Sequence, residues 1–268
     1  MRTPALAVAL LACGALIGCG VEDETSTTGA AAKPRSAGDL NRSVVAVEGI
    51  YADKKTIVTG VVFSVDRGLV LTANHAIEAA PAIEVTLPNG SLVHGRAIAR
   101  LHCRDLALLE LNPKPAGVTE LTFADSRDVR IDQPVRTLSY ELTSSSTQLA
   151  GLTSTRGTVS AVGVREAFPP LPVTEPYIAH QSALAASSSG SPVLNAAGQV
   201  VGINTLVGHP RKPDKPGVEY ALTSNYVKKR LGQLTSTGGT LGGWADEHNR
   251  CHGALRKLIG IGHVHDSK

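Results

Sequence analysis

Between residues 40 and 234 the chain alternates short apolar runs with polar turn residues, and the runs have the length of strands. Residues 43–47, 57–65 and 69–72 come first, the last two separated by the turn Asp66-Arg67-Gly68. Residues 82–87 and 91–100 flank Pro88-Asn89-Gly90, a hairpin signal. Residues 106–111 read as a buried strand, and 133–140, 158–164, 176–181, 192–195, 200–205 and 218–222 continue the series. Helix signals are few: one turn over 76–80 after His75, and a C-terminal helix over 226–234 with Ser224 as its cap. Many short strands at regular spacing predict an all-β barrel or sandwich, and no tandem repeat is visible.

The ends of the chain follow a different pattern. Arg2 precedes an apolar run over 5–17 that is too short to span a bilayer comfortably and reads as a signal segment. It ends in Leu16-Ile17-Gly18-Cys19, which resembles a bacterial lipobox. That resemblance implies that residues 1–18 are removed and that Cys19 carries a lipid anchor. It also implies export to the cell envelope, an oxidising compartment. Gly20, not Asp, follows Cys19, which implies the outer membrane where the host has one. Residues 19–39 are rich in Ser, Thr, Ala and Gly without an apolar period, and read as a flexible tether. The folded domain is then expected over 40–236. Residues 237–268 form a Gly-rich linker and tail carrying His248, Cys251, His252, His263 and His265. Metal binding and a solvated helix face both fit that tail, and its spacing matches no compact zinc motif.

Composition narrows the picture. Hydrophobic residues make up 42% of the 268, enough for a full core, while aromatics are only 3%, so that core must be Val, Ile, Leu and Ala. The formal net charge is +3, of which Arg2 carries one. Basic residues are scattered, and Lys228-Lys229-Arg230 reads as a solvated helix face, so nucleic acid is not an expected partner.

The candidate chemistry lies on three segments. Ser187-Ser188-Ser189-Gly190-Ser191-Pro192 is a small-residue turn entering an apolar strand, which holds a hydroxyl rigidly among backbone N–H groups. His75 lies in Leu71-Thr72-Ala73-Asn74-His75-Ala76, and Asp105 in Arg104-Asp105-Leu106-Ala107-Leu108-Leu109. Singly these are a turn serine, a strand-end histidine and a strand-capping carboxylate. Together, in the order His, Asp, Ser, they have the parts of a nucleophilic triad.

Those segments, with Gly60-Val61-Val62-Phe63, Gly198-Gln199-Val200-Val201-Gly202-Ile203-Asn204-Thr205 and Tyr220-Ala221-Leu222-Thr223-Ser224-Asn225, resemble a trypsin-like serine protease of the bacterial HtrA (Deg) type over about residues 40–234. The resemblance implies two six-stranded β-barrels with the site in the cleft between them. It implies Ser189 as nucleophile, His75 as general base, Asp105 as its partner, and the N–H groups of Ser187 and Ser189 as the oxyanion hole. Ala183, six residues before Ser189, would lie at the floor of the pocket for the substrate side chain before the cut. Lacking a carboxylate there, the pocket would favour small aliphatic residues. Substrates would be exported polypeptides, unfolded ones among them, with no cofactor. The residues after 234 are too few for a PDZ-like module.

The chain also departs from the family pattern. Ser187 stands in place of Gly, Ser188 in place of Asn or Asp, and Ser191 in place of Gly. Ser188 cannot form the ion pair that activates trypsin zymogens, so no cleavage near Ser43 is expected to be needed. Ser187 points to a strained or switchable oxyanion hole. The competing reading is a catalytically silent protease fold that binds peptides or partner proteins. Cys103 and Cys251 are the cysteines outside the export segment and are candidates to pair, while Ala76 replaces the cysteine that flanks the catalytic histidine in animal trypsins.

Overall fold

The computed structural model of the chain describes residues 35–143, 148–165, 177–205 and 217–236, without the side chains of Cys103 and 233–236. Two closed antiparallel barrels of six strands each account for most of these residues. The first holds β1 (Val44–Ile50), β2 (Lys55–Ser64), β3 (Leu69–Thr72), β4 (Ala82–Thr86), β5 (Leu92–Leu101) and β6 (Leu106–Asn112). Its order is β1-β2-β3-β6-β5-β4, closed by β1 on β4. The second holds β7 (Pro134–Leu142), β8 (Leu149–Val164), β9 (Tyr177–Gln181), β10 (Pro192–Leu194), β11 (Val200–Thr205) and β12 (Glu219–Thr223). Its order, β7-β8-β9-β12-β11-β10, repeats that of the first, and β10 on β7 closes it. The fold is the trypsin-like pair of barrels that the resemblance implied.

Burial explains why the strands read as apolar runs. Val45 and Val47 of β1 point into the first barrel, while Val44 and Ala46 face the second. Ala107, Leu109 and Leu111 of β6 fill the first barrel, and Leu106 and Leu108 lie between the two. A strand covered on both faces has no polar alternation to show. The second barrel is filled by Val135, Val159, Ile178, Val193, Val201 and Ala221. Leu71, Leu101, Leu138, Leu194, Ile203 and Leu222 belong to a further cluster shared by both barrels.

Three features differ from the sequence-based expectation. β8 begins at Leu149, well before 158, and pairs with β7 from Leu142↔Leu149 to Pro134↔Thr158. Its first half mixes Thr, Ser and Gly because it is only partly covered. Gly157 there lies so close to β9 that a Cβ would sit 2.0 Å from Ser182 Oγ and 2.3 Å from the Gln181 carbonyl. Second, α1 (Ala37–Asn41) occupies the end of the expected tether. Ser36 caps it by accepting the Asp39 N–H at 3.1 Å and donating to the Asp39 carboxylate at 2.7 Å. Leu40 is buried against Gly198 of the second barrel, which anchors the turn. Third, α2 (Ser224–Ser236) begins at Ser224, whose hydroxyl donates to the Ala124 carbonyl at 2.8 Å and so docks the helix rather than capping it.

Candidate active site

His75 opens a 3-10 turn just after β3, and Asp105 is the residue immediately before β6. β3 and β6 are paired through Thr72↔Ala107, so the two strand ends deliver both residues to one place. The His75 backbone N–H donates to Asp105 Oδ1 at 2.7 Å, and the ring contacts Oδ2 through Nδ1 at 2.8 Å. The Asn74 N–H adds a bond to the Asp105 carbonyl at 3.2 Å. Asp105 sits in the left-handed region with φ 54°, which aspartate tolerates better than most residues.

The second barrel contributes to this carboxylate. Thr205, at the end of β11, donates its hydroxyl to Asp105 Oδ2 at 3.0 Å. The Asp105 side chain is fully buried, and its acceptors are met by Thr205 and by two donors of His75. A buried carboxylate facing Nδ1 requires the proton there, leaving Nε2 as the basic nitrogen of neutral His75. Burial opposes the charged ring. The Asp105 charge and hydrogen bond, with a smaller contribution from Glu78, outweigh it and raise the His75 pKa above its ordinary 6.5.

Ser189 is buried at the turn between the 3-10 helix Ala186–Ser188 and β10. Its carbonyl accepts the Thr59 N–H at 3.0 Å, and the Gly190 N–H donates to the Asn204 carbonyl at 2.8 Å. Gly190 has φ +83°, and a Cβ on it would lie 2.2 Å from the Thr59 carbonyl and 2.8 Å from the Ala73 nitrogen. Only glycine satisfies both conditions. The turn of the second barrel therefore packs directly on the segment of the first that carries His75.

Thr59 of β2 is the residue that joins these parts. Its hydroxyl donates to the Ser187 carbonyl at 2.9 Å and accepts the Tyr140 N–H at 3.0 Å. Its carbonyl accepts from the Thr72 hydroxyl at 2.9 Å. Neither Thr59 nor Thr205 was legible as a functional position. Each is one β-branched polar residue in an apolar strand, which strand propensity alone explains.

One of the two oxyanion-hole candidates, the Ser189 N–H, is engaged within the turn. It donates to the Ala186 carbonyl at 3.2 Å, and the Ser188 N–H to Ala185 at 2.9 Å. Ser187 lies inside this 3-10 turn with negative φ. Its hydroxyl is buried without a hydrogen-bond partner among the described residues. Ser188 donates to Ser139 Oγ at 3.0 Å, both side chains buried. Ser43 is buried, and its hydroxyl bonds to the Asp39 carbonyl and to Thr119 Oγ1.

Beneath the turn runs a further buried chain. His180 Nε2 meets Asn204 Oδ1 at 2.7 Å, and its Nδ1 meets Ser182 Oγ at 2.9 Å. Asn204 Nδ2 donates to Ser191 Oγ at 2.9 Å. The Asn204 oxygen therefore takes the Nε2–H, and Nδ1 accepts from Ser182. Burial lowers the His180 pKa, although the Asn204 bond opposes that.

Ala183 is exposed on the irregular segment between β9 and the 3-10 turn. Cys19, Cys251, the tail histidines and residues 1–34 lie outside the described residues, as does the side chain of Cys103.

A model of the trypsin-like peptidase domain matches residues 58–203. The chain is 31% identical over 180 residues to the "Probable periplasmic serine protease do/HhoA-like" of Haemophilus influenzae, which covers 67% of this chain and 37% of that protein. It is 29% identical over 184 residues to the "Periplasmic serine endoprotease DegP" of Escherichia coli, covering 67% and 36%. The chain thus spans little more than a third of the length of these relatives. Among solved structures, "HtrA-type protease AlgW with tripeptide" superposes with a TM-score of 0.62 at 22% identity, covering 76% of this chain and 65% of that one, a likeness of fold.

Proposed function

The chain belongs to the trypsin-like peptidase family, and we propose that it is a serine endopeptidase cleaving exported polypeptides with His75, Asp105 and Ser189 as its triad. The observation that carries this reading is the buried Asp105 carboxylate, bonded twice to His75 and once to Thr205 at the junction of the barrels. A strand-capping carboxylate needs no such partner set. Ser189 Oγ attacks the peptide carbonyl, and His75 Nε2 accepts its proton. Asp105 holds the tautomer and stabilises the imidazolium. His75 then protonates the leaving amine, and water resolves the acyl-enzyme by the same base. Ala183 brings no carboxylate to the side-chain pocket proposed for the residue before the cut, which supports a preference for small aliphatic residues there.

The resting protein is poorly active because its hole is closed. The Ser189 N–H is turned onto Ala186 and must be released for the oxyanion. Glycine at 187 would re-aim its N–H at little cost, whereas a residue with a Cβ in a sparse backbone region costs about 1–3 kcal/mol. That same closed turn favours the second reading, a silent protease fold that binds peptides.

The relatives' names place them in the periplasm, and the lipobox-like Leu16-Ile17-Gly18-Cys19 supports export of this chain with a lipid anchor on Cys19. Peptide hydrolysis that Ser189→Ala abolishes supports the enzyme. Equal turnover by the two proteins rejects it.

A further inference from the structure

A second polar cluster lies buried directly behind the His75–Asp105 pair. Asn74, Glu78 and His102 are all buried. The Glu78 carboxylate accepts from the Asn74 amide and from His102 Nδ1, whose two contacts are 3.0 and 3.1 Å. Asn74 Oδ1 accepts from Arg100 Nη1 at 3.0 Å, and the same nitrogen reaches the Ile77 carbonyl at 3.0 Å. The Tyr51 hydroxyl donates to the Ala76 carbonyl at 3.1 Å on this turn.

The cluster holds both members of the pair by the backbone. Asn74 immediately precedes His75, and its N–H donates to the Asp105 carbonyl. His102 opens the turn that ends at Asp105, and its carbonyl accepts the Asp105 N–H at 3.4 Å. The cluster therefore fixes the backbone from which the imidazole and its carboxylate project. Buried charge is costly unless paired, and apolar side chains would fill this space more cheaply.

Resting on the reading of His75 as general base, we infer that Glu78 is a positioning residue and second carboxylate for His75, acting through Asn74. It holds base and aspartate in register and adds negative charge behind the ring, without touching the ring or taking its proton. The charged and titratable groups facing Glu78 are Arg100 from β5, His102 from the turn before β6, and Tyr51 after β1, with Asp105 beyond His75. Glu78 is also a contributor to the raised His75 pKa, after Asp105.

The test is an NMR titration of His75 in Ser189→Ala protein, a background that needs no peptidase activity. Failure of the protease reading would thus leave this result unaffected. Glu78→Gln keeps an acceptor for Asn74 but removes the charge. It should lower the His75 midpoint by roughly 0.5–1 pH unit, the size expected of a nearby carboxylate at an effective dielectric constant of about 20. It should also broaden the low-field Nδ1–H resonance. Arg100→Gln removes the opposing cation and should raise the midpoint. Glu78→Asp should recover part of the parent midpoint. Unchanged midpoints in Glu78→Gln and Arg100→Gln, with only their melting temperatures altered, would reduce the cluster to scaffolding and overturn the inference. Where Glu78→Gln fails to fold, the Arg100→Gln shift decides alone, upward in support and absent against.

Discussion

The backbone N–H of Ser189 donates to the carbonyl of Ala186 across 3.2 Å, closing a 3-10 turn over the proposed nucleophile. That N–H is one of two donors an oxyanion hole at this turn would use. For the proposed triad, a Ser189 N–H held by Ala186 is a donor withheld from the transition state. One missing donor of this kind costs about 100–1,000-fold in turnover. Opening the turn requires Ser187 to leave its helical conformation, and its Cβ resists the region that glycine enters freely.

The His75–Asp105 pair sets the pH response. As the proposed base, His75 must be neutral to accept the Ser189 proton, and its pKa is raised above 6.5. The midpoint of the acid limb of kcat/KM should therefore lie above pH 6.5, with activity rising toward alkaline pH. Asp105→Asn should reduce kcat by about 10⁴-fold through the wrong tautomer while leaving the fold intact. A pH–rate profile of both proteins checks this, and an acid limb below 6.5 would contradict it.

Thr59 couples the barrels at the nucleophile turn. Thr59→Val keeps shape but leaves the buried Tyr140 N–H and Ser187 carbonyl without their partner. A stability loss of about 2–4 kcal/mol is expected from the two unmet groups. Chemical denaturation measures it, and a loss below ~0.5 kcal/mol would show that the turn does not depend on this residue.

The sequence displayed the strands where burial made them apolar, as in β1 and β6, and marked the three proposed triad residues through their flanking segments. It hid what polar side chains do inside apolar strands. Thr59, Thr205 and Asn204 look like ordinary strand residues, and only folding reveals that they face Asp105 and the Ser189 turn. The first half of β8 was hidden because a partly covered strand carries no strong apolar signal. Helix α1 was hidden because one capped turn with a single buried leucine resembles a polar linker. Ser187 was visible as a departure from glycine, whereas the Ser189–Ala186 hydrogen bond around it depends on how the turn folds.

His180 should make the fold acid-sensitive. Its folded pKa is lowered by burial, so the unfolded chain takes up the proton first as pH falls below about 6.5. Stability is lost between that value and the lower folded pKa. His75 works in the opposite sense, since its raised pKa gives stability that is present at low pH and lost as pH rises through the folded value. His180→Gln should flatten the decline in melting temperature between pH 6.5 and 5 relative to the parent. An identical decline would remove His180 as its cause.

The proposed anchor is tested by Cys19→Ala. Wild-type protein should incorporate labelled fatty acid and sediment with membranes, since two or more acyl chains bind stably where one is marginal. The variant should lose the label and appear as soluble or unprocessed protein. Unchanged labelling would place any lipid elsewhere.

The most direct measurement is the rate at which a fluorophosphonate probe labels the protein, compared among wild type, Ser187→Gly and Ser189→Ala. A complete triad beside a closed oxyanion hole should give slow labelling of wild type, labelling at least ~10-fold faster in Ser187→Gly, and none in Ser189→Ala. Wild type as fast as Ser187→Gly would contradict the closed hole. No labelling of either, with both proteins folded and their clefts accessible, would contradict the triad and leave a peptide-binding protein on a protease fold.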